Sequence, residues 1–307
     1  MGLYAPKIVQ CIDERMLAFA GLAMFFPASG RTCNWFHDEM LEDERMACFV
    51  ESLVVKACDE KQLTIRLQPV FECRRDGSVV AAEALVRWHY PEFGEMMPSL
   101  FLPIVERLSL TEKVDLHVLA EVCAFQRKRI DQGAKTVPVA VNLSRDDMVL
   151  HRDFADRAIK LVDAHQLQHS LVQFELVESA LAVGERSDLH YGAIKSQIEQ
   201  FRAQGFKVLI DDYGAGMSNI KTIYSVPFDA LKIDKFVVDG CEDPVLSCVL
   251  RHLVSCMVEL GRDVIAEGVE SERQLDVLES LGCSHIQGFY RSRPLKLCDF
   301  ANLLDGK

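Results

Sequence analysis

The chain has 307 residues, 49% hydrophobic and 26% charged, which excludes a disordered polymer and fits one large globular domain or two. Its 34 basic against 46 acidic residues give a net charge of −12, the wrong sign for tracking a duplex but no obstacle to holding a small nucleotide through metal ions. Eleven cysteines include no C-x-x-C pair, and the regular set Cys241, Cys248 and Cys256 reads as helical spacing without a histidine to complete a zinc site, so reduced core thiols are expected.

Residues 1–59 read as a helical extension. Met16, Leu17, Ala20 and Met24 recur at helical spacing, Pro27–Gly30 breaks the pattern, and a second helix is expected over about 40–58. The apolar stretch Met16–Ala28 is too short to span a bilayer. Asp13 and Glu14 spoil the positive flank that a secretory signal needs, so the expectation is a cytoplasmic chain with no membrane segment.

From residue 60 to 307 the pattern changes. Leu63–Phe71 and Val79–Trp88 read as an antiparallel hairpin around the turn Arg75-Asp-Gly77, followed by helices near 98–108 and 112–130. Strands then alternate strictly with helices. The strands are Val137–Leu143, Leu171–Val177, Phe206–Asp211, Ala230–Ile233, Val264–Ala266 and Ser284–Gln287, and the helices lie near 152–165, 188–204, 218–224, 244–260 and 271–280. With the hairpin this makes eight strands, the arithmetic of an α/β (β/α)8 TIM-like barrel. An open doubly wound sheet is the alternative, but no G-x-G-x-x-G opens a helix, so dinucleotide binding has no support.

The strands carry or run into Glu83, Asn142, Glu175, Asp211-Asp212, Lys232, Glu267 and Gln287. Singly these have plain readings: solvated turn carboxylates, a snorkelling lysine, a turn asparagine. As a set, one per strand, they point to the face where a barrel gathers its strand ends. Five carboxylates brought together repel unless cations neutralise them, and an all-oxygen set suits Mg²⁺ or Mn²⁺. Two such ions clamp a phosphodiester for in-line attack, with Lys232 as fixed positive charge. A metal-free glycosidase would need only two carboxylates.

The same residues resemble the EAL domain family of cyclic di-GMP phosphodiesterases. Glu83-Ala-Leu-Val-Arg-Trp88, Val141-Asn-Leu-Ser144, Glu175-Leu-Val-Glu-Ser179, Asp211-Asp-Tyr-Gly-Ala-Gly216, Leu231-Lys-Ile-Asp234, Ala266-Glu-Gly-Val-Glu-Ser271 and Gln287-Gly-Phe289 follow in family order over about residues 60–300. The resemblance implies a barrel with an antiparallel first strand and hydrolysis of cyclic di-GMP to linear pGpG with two Mg²⁺ or Mn²⁺ ions. It implies that Glu83, Asn142, Glu175 and Asp211 ligate one ion, that Asp211 is shared, and that Asp212 serves the second. Lys232 and Glu267 would orient and deprotonate the attacking water. Gln68, Leu85, Arg87, Glu270, Gln287 and Phe289 would line the nucleotide site; Arg87 suits a phosphate and the Phe289 ring suits a guanine, with plain core packing the alternative for Phe289. The other reading of the same barrel is a cyclic di-GMP receptor that does not cleave.

Val177 and Ala215 stand where the family usually has Thr, and the interval from Glu175 to Asp211 is longer than usual. These departures remove no ligand and bear on the level of activity. Glu178 is expected to anchor the loop Asp212–Ser218: it lies an odd number of residues from Glu175, so the two cannot share a strand face. A solvated carboxylate is its plain alternative. The resemblance also implies a homodimer pairing beside the Asp211 loop. Residues 11–40 resemble, more weakly, the end of a GGDEF domain without its signature loop, which excludes cyclase activity; a simple amphipathic extension is the other reading.

Overall fold

The computed structural model describes residues 62–90, 94–181, 188–216 and 220–307, with residues 53, 54, 56, 57 and 60. The helices expected over 16–24 and 40–58 lie almost wholly outside the described residues, as does the GGDEF-like stretch.

Chain order is β1 (Leu63–Glu72), β2 (Val79–Tyr90), β3 (Gly94–Met96), α1 (Pro98–Arg107), α2 (Thr111–Asp131), β4 (Val139–Asn142), α3 (Arg145–Leu150), α4 (Phe154–Ala164), β5 (Val172–Val177), α5 (Asp188–Ala203), β6 (Lys207–Tyr213), α6 (Ile220–Ser225), β7 (Ala230–Ile233), α7 (Lys235–Asp239), α8 (Pro244–Glu259), β8 (Asp263–Ala266), α9 (Glu272–Ser280), β9 (His285–Ile286) and α10 (Leu297–Leu304). The hydrogen-bonded order β1-β9-β8-β7-β6-β5-β4-β2 closes through the β1–β2 pairing. The result is the expected eight-stranded barrel. Neighbours from β2 through β9 are parallel, whereas β1 runs antiparallel to β9 with Phe71 opposite Ile286.

Contacts divide the chain into two compact units. Of the described residues, one holds those of 65–86 and 115–307, the bulk of the barrel; the other holds those of 87–114 with those up to 64. Within this second unit, β3 pairs with the end of β2, Trp88 packs edge-on against Phe101 at 5.5 Å, and its indole N–H donates to Gln62 at 3.2 Å.

The parallel strands are nearly continuous in apolar residues because helices cover them outside and side chains fill them inside. β5 is buried at five of its six positions, and Phe174 stacks against Phe201 and Phe206 at ring distances of 4.1 and 5.2 Å. Four helices on the strand-end side are capped by side chains. Ser144 caps α3, Asp234 caps α7, Asp243 caps α8 ahead of Pro244, and Ser271 with Gln274 forms a capping box on α9. These caps fix where each strand hands over to its loop.

The expected elements match the observed ones within one to three residues at each end. Missing from the expectation are β3, α3, α7 and α10, all short, and the extension of β6 beyond Asp211 to Tyr213.

Candidate active site

At the carboxyl ends of the strands, side chains from six of them meet around one ammonium group. Lys232, on β7, is 1% exposed. Its Nζ lies 3.2 Å from Glu83 on β2, 3.0 Å from Glu175 on β5, 3.1 Å from Asp211 on β6 and 2.7 Å from Glu267, just past β8. Asn142, ending β4, donates to Glu83 Oε1 at 3.0 Å, and Gln287, just past β9, donates to Glu83 Oε2 at 2.7 Å. Strand register makes this convergence possible: Asn142 stands opposite Glu175, and Val177 opposite Asp211.

Asp211 and Asp212 are neighbours in sequence and would face opposite ways in a regular strand. The β6–β7 register breaks between Ile210 and Tyr213, and Asp212 adopts a left-handed φ of 56°. Asp and Asn are the side chains that best tolerate that conformation. The kink turns both carboxylates toward Glu267, so that Asp211, Asp212 and Glu267 each offer an oxygen within 4.8 Å of the others. Glu83, Glu175 and Asp211 form a second such group. Asp211 belongs to both.

One cation serving several carboxylates leaves the site short of positive charge. Burial pulls the Lys232 ammonium down, but Asp211, Glu175, Glu267 and Glu83 together hold it well above its usual value. Burial pushes the Glu83 carboxyl up, and Lys232, Gln287 and Asn142 more than reverse this, holding it below the usual range. Glu175 moves the other way: burial raises it, Lys232 opposes, and Glu83, Asp211 and Glu267 repel it further. Burial likewise raises Glu267 to about 8 and Asp212 to about 6, with neighbouring carboxylates adding to both shifts. A buried all-oxygen group with excess negative charge, split into two triads about a shared Asp211, has the donor chemistry for two hard divalent ions. The residues fit Mg²⁺ or Mn²⁺.

Other expected residues fall in different places. Gln68 is half-buried on β1, and Leu85 is half-buried on the face of β2 that carries Glu83. Arg87 belongs to the other compact unit, buried, with its guanidinium 3.9 Å from Glu95. Glu270 is exposed and paired with Lys235 at 3.1 Å. Phe289 is half-exposed, with the Arg293 guanidinium 4.3 Å above its ring. Beside it Gly288 has no room for a side chain, since a Cβ there would meet the backbone of Val269 at 2.2 Å.

Glu178 is buried as the first residue of a 3-10 turn after β5. Burial raises the Tyr213 hydroxyl, and the charge of Glu178 raises it further, which places that carboxylate beside the residue following Asp212. Asp234 is a further carboxylate near the cluster, quoted in the family motif Leu231–Asp234 without a role. It stands directly after β7, caps Phe236 N at 2.7 Å, and adds to the repulsion that raises Asp212. Its position two residues beyond Lys232 is the signal that could have marked it.

A family model described as EAL domain matches residues 53–294. Among curated proteins, the chain is 31% identical over 241 residues to MucR of Pseudomonas aeruginosa, named a bifunctional diguanylate cyclase/cyclic di-GMP phosphodiesterase, covering 78% of this chain and 34% of MucR. It is 30% identical over 310 residues to NbdA of the same organism, named a cyclic di-GMP phosphodiesterase, covering 99% of this chain and 38% of NbdA. The chain therefore spans little more than a third of these relatives. Among solved structures, the MucR phosphodiesterase in complex with cyclic di-GMP superposes with a TM-score of 0.73 at 30% identity, over 82% of this chain and 99% of that one. The EAL domain of Mycobacterium smegmatis DcpA shares the fold, with a TM-score of 0.65 at 24% identity over 80% of this chain and 97% of that one.

Proposed function

Because the chain belongs to the EAL domain family, we propose that it is a metal-dependent phosphodiesterase that opens cyclic di-GMP to linear pGpG. The observation that carries this reading is the cluster about Lys232, with both carboxylate triads complete. Glu83, Asn142, Glu175 and Asp211 would hold one ion, and Asp211, Asp212 and Glu267 would face the second. When bound, Mg²⁺ or Mn²⁺ supplies Lewis-acid charge to the phosphoryl oxygens.

The chain's own residues do the rest. Glu83, fastened by Lys232, Asn142 and Gln287, stays ionised and keeps its place. Glu267, just past β8 and beside Lys232, would take the proton of the attacking water. The water oxygen bonds to phosphorus as one ester bond breaks, leaving the 5′-phosphate and a free 3′-hydroxyl. Lys232 stays charged throughout and stabilises the negative charge building on the phosphoryl group. Gln68, Leu85, Gln287 and Phe289 contact the nucleotide, and Arg87 and Glu270 are assigned to it by the family pattern. Glu178 is the loop anchor rather than a ligand.

We assign the protein to the cytoplasm, where free thiols such as Cys73, Cys123 and Cys241 persist. No described helix is long and apolar enough to cross a membrane. A homodimer is proposed through α6, α7 and α8, which follow the Asp211 loop and leave Tyr224, Phe236, Val245 and Val249 exposed. Residues 1–59 are assigned to a linker from further regulatory domains.

Incubation with cyclic di-GMP and Mg²⁺ or Mn²⁺, followed by product separation, tests the activity. Linear pGpG should form, a chelator should stop it, and Ca²⁺ should bind without supporting turnover because its looser coordination spoils an in-line displacement. Tight binding of uncleaved cyclic di-GMP with either metal would replace the enzyme by a receptor.

A further inference from the structure

Asp212 and Glu267 reach the second carboxylate triad from outside regular strand pairing. Asp212 lies where the β6 register breaks, and Glu267 lies one residue past β8. The ladder therefore does not fix the distance between them, as it does for Asn142 and Glu175, which stand opposite each other on β4 and β5. The junction of β7 with α7 runs between their two loops. On one side the Asp234 N–H donates to the Tyr213 carbonyl at 3.1 Å, and on the other the Glu267 N–H donates to the Ile233 carbonyl at 3.0 Å.

Helix α7 then presses on both loops where neither has a side chain. Lys235 lays its methylene stem over Gly268, the residue after Glu267. A Cβ built on that glycine would lie 2.6 Å from the Lys235 Cβ and 2.7 Å from its Cδ. Val237 does the same to Gly214, two residues after Asp212, where a Cβ would collide with the Val237 Cγ2. Both glycines hold left-handed backbone, with φ of 65° and 102°, which other residues adopt only under strain. The Lys235 Nζ also reaches Asp239 Oδ1 at 3.0 Å and Glu270 Oε1 at 3.1 Å. Gln274 closes a ring, donating to Asp239 Oδ1 at 3.3 Å and accepting from the Glu270 N–H at 2.8 Å. The ion pairs are half-exposed and contribute little by themselves. The stem and the valine methyl meet bare backbone at close-packed distance, and such a contact resists displacement.

We propose that α7 is the spacer that sets the distance between the Asp212 and Glu267 loops, through the Lys235 stem packed on Gly268 and Val237 packed on Gly214. Both are positioning residues, acting through Glu267 and Asp212. The proposal rests on the two-ion reading above. Asp211, Asp212 and Glu267 offer oxygens within 4.8 Å of one another. Mg²⁺ demands near-octahedral geometry with bonds of about 2.1 Å, so a widening of about 1 Å between the loops would lose a ligand.

Calorimetric titration of Mn²⁺ into the full chain is the test, with steady-state hydrolysis of cyclic di-GMP beside it. The unaltered chain should bind two ions. In Lys235→Ala and in Val237→Ala one ion should bind at least about tenfold less tightly while the other changes by less than about threefold. In both variants kcat should fall at least about tenfold with KM nearly constant. Lys235→Met keeps the stem without the ammonium and should restore both measurements. One ion rather than two in the unaltered chain overturns the two-ion reading and this proposal with it. Two ions held as tightly by both alanine variants as by the unaltered chain overturn the spacer alone, whatever happens to turnover. Equal weakening of both ions, the sign of a general loss of structure, overturns it as well, and equal losses in Lys235→Met and Lys235→Ala overturn the packing on Gly268.

Discussion

The two ends of the barrel use the same charged residues to opposite effect. Where strands begin, acid and base match nearly one to one in water: Arg202 pairs with Asp229 at 2.9 Å, Lys207 with Asp263 at 3.4 Å, and Arg75 with Asp276 at 3.0 Å. Pairs of this exposure contribute little to stability, because solvent screens them and ordering two side chains costs entropy. Where strands end, one buried ammonium faces four carboxylates. Desolvation there works against folding, so the arrangement is maintained for binding and chemistry. Exposed matching makes a surface. Buried mismatch makes a site.

The strongest way to break the contrast is to reduce the charge at the shared carboxylate. Asp211→Asn should lower hydrolysis by at least about 10²–10³-fold even at high Mg²⁺, as loss of a preorganised electrostatic group does. Steady-state turnover checks this, and substantial residual activity would remove the two-ion assignment.

A sharper division separates Glu175 from Glu178. Glu175→Ala should lose Mn²⁺ binding directly, while Glu178→Ala should leave affinity within about threefold, a change of under 1 kcal/mol, yet cut turnover at least tenfold. Calorimetric titration of Mn²⁺ into both variants decides it: equal loss of affinity would sink the separate role for Glu178.

Smaller effects are expected away from the strand ends. Arg129 is buried, bonds to Asp305 at 2.6 Å and to the Lys135 carbonyl at 2.8 Å, and ties α10 to α2. Asp305→Ala should lower stability, since the guanidinium keeps the carbonyl but loses its carboxylate. The Arg129 hydrogen bond holds the Asp305 carboxyl below its usual range. That contribution should therefore be complete above the ordinary aspartate pKa and fade as pH falls through the depressed folded value. Urea midpoints of wild type and variant, compared between neutral and acid pH, should converge on the acid side. At the other extreme, Lys207→Ala should move stability by less than about 0.5 kcal/mol; a larger shift in denaturant midpoint would mean that the strand-start pairs do more than their exposure suggests.

Much of this arrangement was legible before any coordinates, for a physical reason. Buried parallel strands must be apolar, so a charged residue at the end of such a run stands out, as Glu175 does in Leu171–Val177 and Lys232 in Ala230–Ile233. The alternation also gave the strand number, and the turn Arg75-Asp-Gly77 the antiparallel pairing of β1 with β2. Asp234 was less visible because a carboxylate directly after a strand and before a helix is what any helix cap looks like, and it does cap α7. The short helices α3 and α7 escaped because five or six residues are too few to show a period. The Glu270 carboxylate pairs with Lys235, a contact set by loop geometry that no motif encodes.

The kink at Asp212 has a consequence for how this strand tolerates change. The second carboxylate reaches its place through the path of the main chain, not through a rotamer, so its location is inherited from the count of residues between Leu209 and Tyr213. Asn keeps that path and removes only the charge, whereas Ala strains the path as well; the two substitutions thus separate shape from chemistry at one position. Deleting a single residue there would be worse than either, because it would re-phase the strand and turn one of the two acids away with every ligand type still present in the sequence. For β6, length is as much a part of the active site as composition.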